Sequence, residues 1–142
     1  MDRKVFFILN KLILFSIGGI SYLIIELLWR GQSHWSMFIL GGLCFLIIGL
    51  LNEHYTFEIP LPVQMLIGAF TITVLEFCAG CILNLWLGLN VWDYSDLPYN
   101  ILGQICLPYS LLWFVLSLGC ILADDYIRYY LLGEEKPHYK LV

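Results

Sequence analysis

The sequence predicts an all-α integral membrane protein, a four-helix bundle of two helical hairpins in parallel orientation, and three observations lead there. Of the 142 residues, 61% are hydrophobic and the mean hydropathy is +0.84, against roughly 45–50% apolar usage in soluble domains. A chain of this length suits one domain, yet its apolar excess is more than one small core can bury. Four apolar stretches then approach the roughly 20 residues that a spanning helix needs. They lie at about 12–29, 35–51, 61–83 and 101–123 within a single polytopic domain covering 1–142.

The first span ends in IIELLWRG, with Glu26 in its last turn and Arg30 four residues on. At that spacing the two side chains meet on one helical face, so an intrahelical ion pair is expected. Trp29 and Trp35 flank the pair as headgroup-level anchors would. The basic residues set the orientation: Arg3, Lys4 and Lys11 precede the first span, and Arg128, Lys136 and Lys140 follow the fourth, while the connecting loops hold only Arg30. Positive-inside asymmetry places both termini in the cytoplasm and WRGQSHWSM at the outer surface. No small-residue cleavage site follows the first apolar run, so it reads as a retained helix.

The second span, 35–51, is short and reaches full depth only with little tilt. NEHYTFEIPLPVQ follows and reads as a tight cytoplasmic hairpin around Tyr55, with Asn52 and Glu53 closing the second helix. Pro60 and Pro62 open the third, where a missing amide hydrogen does no harm.

The third span carries Glu76, about 14 residues past Pro62 and so roughly 21 Å into the helix. A carboxyl at such depth is by default a functional candidate that faces protein. Glu26, Glu76 and Arg30 are expected to share one pocket. The C-x-x-C of Cys78 and Cys81 lies inside a helix rather than at an N-terminus that would activate a thiolate. All five cysteines therefore read as packed thiols. His34, His54 and His138 are spread over both sides, so no metal site and no cofactor is expected.

Beyond Leu83, the stretch NLWLGLNVWDYSDLPYN is apolar but interrupted by Asn84, Gly88 and Asn90, and suggests an interfacial helix or a loop folded back over the outer mouth. Asp93 and Asp96 make it acidic. The fourth span follows. FILGGLC, residues 38–44, and NILGQIC, residues 100–106, agree at Ile, Leu, Gly and Cys, which suggests an internal parallel repeat, and sites in repeat-built transporters tend to lie between the halves. Gln64 and Gln104 read as polar groups seeking interhelical partners, and Gly80, Asn84 and Gly88, four apart, as a smooth face for a homodimer.

YLIIELLWRGQSHWSMFILGGLCF, then IGLLNE, the Glu76 helix and VWDYSDLPYNILGQICLPYSLLW resemble the small four-span membrane family labelled "putative ABC transporter permease", CmpB type, to which the vertebrate transmembrane protein 229 group is similar. The resemblance covers about 14–128 and implies transport. The sequence has no G-x-x-x-x-G-K-[ST] phosphate loop, so ATP hydrolysis would fall to a separate ATPase subunit.

Three functional readings stand on these residues. The first is a transporter component whose polar pocket in the outer half of the bilayer is built from Glu26, Arg30, His34, Glu76, Asp93 and Gln104. The second is a non-enzymatic module that binds membrane lipid or a partner. The third is a lipid-directed membrane enzyme with Glu76 as acid or base and His34 as its complement. No nucleic-acid partner is expected.

Overall fold

The computed structural model describes residues 2–54 and 59–142. Among them are four α-helices: α1 Arg3–Arg30, α2 Trp35–His54, α3 Leu61–Gly80 and α4 Leu107–Ile127. No strand is present among the described residues, and the all-helical membrane fold is the one expected. α3 continues through a π-helical turn, Cys81–Trp86, and α4 through another, Arg128–Leu132. The segments Arg3–Arg30, Leu61–Trp86 and Leu107–Leu132 are long and apolar enough to cross a membrane. α2 is apolar over Trp35–Leu51, about 25 Å of helix against a hydrocarbon core of about 30 Å. The tip of the hairpin around Tyr55, at 55–58, lies outside the described residues.

The chain divides into two compact units, Met1–Ile47 and Ile48–Val142. In the first, α1 starts earlier than its apolar run because the Asp2 carboxylate accepts from the Lys4 amide and caps it. It stops at Gly31, whose φ of +71° suits a residue without Cβ and whose amide returns to the Leu27 carbonyl. α1 and α2 meet through glycines. A methyl group at Gly18 would run into Phe45 and sit 3.0 Å from the Gly41 carbonyl; one at Gly41 would run into Tyr22 and sit 3.1 Å from the Gly18 carbonyl. Gly19 faces Phe38 and Gly42 faces Phe15 in the same way, and the Phe15 and Phe38 rings pack edge to face. Small residues allow the backbones this approach where lipid supplies no hydrophobic drive between helices.

In the second unit α3 and α4 run antiparallel. Gly68 opens onto the fully buried Ser117, Thr73 bonds Ser110 at 3.0 Å, and Glu76 meets Trp113. The C-terminal segment returns to this pair. The Lys140 carbonyl accepts from the Leu61 amide at 2.7 Å, satisfying one of the open donors at the α3 start. The Tyr139 hydroxyl donates to Asp125 at 2.6 Å, and burial together with that carboxylate pushes the Tyr139 pKa up.

Three expectations fail here. α4 begins at Leu107, not near 101, because Leu102 and Gly103 adopt positive φ and residues 101–105 close a turn with an isolated bridge. FILGGLC is therefore helical where NILGQIC is a loop, and their likeness does not mark a structural repeat. The Gly80, Asn84, Gly88 face is taken within the chain: Gly80 packs on the Gln104 side chain, Asn84 is buried against it, and Gly88 lies past the helix with φ +66°.

Candidate functional site

Glu76 is 3% exposed in the span Leu61–Trp86. Its Oε1 accepts from the Tyr94 hydroxyl at 2.8 Å and its Oε2 from the Trp113 indole N–H at 2.9 Å. Tyr94 stacks on Tyr109 with ring centroids 4.6 Å apart, and Tyr109 leans on Trp113. A carboxylate held by two aromatic donors, whose rings pack with Tyr109, is thus built where the helix is otherwise uncharged.

Tyr94 arrives on a long loop, residues 87–106, that folds back along the end of α3. Gln104 holds the loop together. Its side-chain oxygen accepts from Asn84 at 2.8 Å, its amide donates to the Leu102 carbonyl at 2.9 Å, and its main-chain carbonyl takes the Trp92 indole N–H at 3.0 Å. Asn84 sits in the π-helical turn and also accepts from the Val91 amide at 2.7 Å. The widened turn therefore offers its side chain to the loop, as π-bulges at functional positions often do. Asn100 bonds the Ser95 and Leu97 carbonyls and the Gly103 amide. Asp93 accepts from both the amide and the hydroxyl of Ser95, which holds its carboxyl below the usual range. The acidic loop thus spends Asp93 on its own turn. Of the two forms expected for this segment, the folded loop is the one observed.

In the first unit Arg30 bonds Glu26 as its spacing predicts, with Nε 2.6 Å from Oε2 and a terminal nitrogen on the same oxygen. Glu26 Oε1 has no hydrogen-bond partner among the described residues. Trp29 and Trp35 point outward, as anchors do. His34 opens α2: its Nδ1 accepts from the Ser36 amide at 3.3 Å and pairs with the Ser36 hydroxyl at 2.6 Å, while its carbonyl accepts from Met37. The imidazole thus works as an N-cap. Of the six candidates, Glu76, Asp93 and Gln104 fall in the second unit, and Glu26, Arg30 and His34 in the first.

Sequence reasoning missed a second charged cluster. Arg128, read as a marker of orientation, is buried with Nε 2.8 Å from Asp124 Oδ2 and a terminal nitrogen on Glu53 and, at 3.5 Å, on Glu134. Asp124 is 1% exposed and lies against Gly49, where a Cβ would fall 2.6 Å from Oδ1. The signal was present, since Asp124 and Arg128 have the same four-residue spacing as Glu26 and Arg30. Tyr94 and Trp113 gave no such signal, because they lie 18 and 37 residues from Glu76. Gln64, expected between helices, donates instead to the Ile59 carbonyl just before its own helix.

The five cysteines are free, Cys78 and Cys81 included. Cys44 and Cys106 are buried, but Cys78 departs from the expectation of packed thiols, since it is exposed on the surface of α3. No cluster of three or more metal-ligating side chains occurs among the described residues.

A family model described as "Putative ABC-transporter type IV" matches residues 5–131. The chain belongs to that family. No curated protein and no solved structure matches it. The family's span takes in all six candidate residues together with Glu53, Asp124 and Arg128, and makes the chain a transporter-like membrane protein.

Proposed function

We propose that this chain is the membrane-spanning component of a transporter and that the Glu76 cluster is its solute site. The observation that carries this reading is a buried carboxylate, held by a tyrosine hydroxyl and an indole, deep in a helix long and apolar enough to span the membrane. Intramembrane ionisable groups cost a few kcal/mol to place and mark substrate or ion pathways. Family membership supports transport. ATP hydrolysis belongs to a separate subunit, since the sequence has no phosphate loop. The test is intracellular solute profiling of cells producing the wild-type chain, Glu76→Gln or neither. At least one solute pool should change with wild type and revert with Glu76→Gln. Identical pools at equal membrane levels would reject transport.

A second reading has one observation in its favour. Gln104, Asn84 and Asp93 spend their hydrogen bonds on the chain's own loop, which suits a module that binds lipid or a partner without moving a solute.

Both termini are cytoplasmic in this proposal, with Ser33 and Ser95 outside. Arg3, Lys4, Lys11, Lys136 and Lys140 support that orientation, whereas Arg128, paired with carboxylates, adds little. Single cysteines at 33 and 95 should react with an impermeant reagent in intact cells; reaction at 136 instead reverses the orientation.

A further inference from the structure

Tyr94 reaches Glu76, ten residues before the π-helical turn ends at Trp86, which is about 15 Å back along the spanning helix. Gln104 likewise lies against Gly80 and Asn84. Loop 87–106 therefore runs at the level of the α3 span rather than beyond it. Non-helical backbone at that depth is tolerated where protein satisfies its polar groups, and part of this loop is satisfied in that way. The amides of Leu89, Val91, Tyr94, Ser95, Leu97, Ile101, Gly103 and Gln104 all have partners within residues 83–105.

The same loop turns large apolar side chains outward. Tyr99 is 81%, Ile101 54% and Leu102 65% exposed. Tyr99 and Leu102 hold φ of +53° and +55°, a region that bulky residues seldom occupy. A contiguous apolar edge of this kind marks an interaction surface. α4 follows the loop directly and exposes Leu107 and Leu111 in a segment long and apolar enough to cross a membrane, which says what covers the edge.

We propose that loop 87–106 is a re-entrant membrane anchor, with Tyr99, Ile101 and Leu102 contacting lipid at the boundary of acyl chains and headgroups and Asp93, Ser95 and Asp96 in water. The occupant is bilayer lipid. The anchor holds Tyr94 against Glu76 whether or not the chain moves a solute, so its failure and the failure of the transport reading are separate results.

The full chain carrying benzoylphenylalanine at Tyr99, reconstituted in phosphatidylcholine vesicles and irradiated, should form lipid adducts visible by mass spectrometry, and the same probe at Asp96 should form none. A cross-link to a second copy, or no lipid adduct at 99, overturns the proposal. Hydroxyl-radical footprinting of the unaltered chain avoids any folding defect of the variants. Tyr99 should oxidise about tenfold more slowly in vesicles than in a free peptide of residues 96–102, as expected for a ring buried in the interface. Equal rates would overturn it as well.

Discussion

Arg128→Ala is expected to lower the stability of the chain by about 3–5 kcal/mol, the range found when one partner of a buried ion pair is removed. Arg128 is 6% exposed and Asp124 1%, so truncation strands the Asp124 carboxylate where water does not reach it. Asp124 Oδ1 already has no hydrogen-bond partner among the described residues, which leaves Arg128 Nε as the donor that matters. Glu53 and Glu134, at 32% and 50% side-chain exposure, can turn to solvent instead. Glu134→Ala should therefore cost under about 1 kcal/mol, as exposed pairs do. Asp124→Asn combined with Arg128→Ala should recover part of the loss, because the stranded charge is gone. Thermal melting in detergent of the wild type, Arg128→Ala, Asp124→Asn and the double variant closes the cycle. Additivity within about 0.5 kcal/mol, the behaviour of independent sites, would show that the two side chains do not depend on each other.

The same cluster shows what kind of information the sequence carries. Much of what local spacing sets was legible: the presence of four helices, the Glu26–Arg30 pair and the proline start of α3 follow from residues within one or two turns of each other. The Asp124–Arg128 pair was legible too, and was overlooked because a basic residue after the last span was read only for its charge. What could not be read is tertiary. NILGQIC has the same apolar pattern as a helical segment, and only the contacts of Gln104 with Asn84 and Trp92, together with positive φ at Leu102 and Gly103, make it a loop. His34 and Asp93 looked like site residues because polar groups are rare in such a chain. Each is used within two positions of itself, His34 on Ser36 and Asp93 on Ser95, and local competition of this kind is hard to distinguish from function in composition alone.

Gln104→Ala is the second substitution with a large expected effect, and it separates a structural role from a binding one. The alanine removes the acceptor of Asn84, which is itself buried, and the donor to the Leu102 carbonyl. Each buried polar group left unsatisfied costs about 1–3 kcal/mol, so a total of about 2–5 kcal/mol is expected once the space beside Gly80 is counted. The loss should fall on the loop first. Tyr94 depends on that loop to reach Glu76, through the hydrogen bond that its N–H donates to the Gly103 carbonyl at 2.8 Å. Hydrogen exchange should accordingly rise at Tyr94, Ile101 and Gln104 itself before it rises in α3 or α4, as local opening does when its cost drops below that of global unfolding. Gln104→Glu keeps an acceptor for Asn84 but turns an oxygen toward the Leu102 carbonyl, and should be destabilised as well. A Gln104→Ala protein that melts with the wild type and keeps its loop protected, yet no longer changes any solute pool, would instead place Gln104 among the residues that touch the solute.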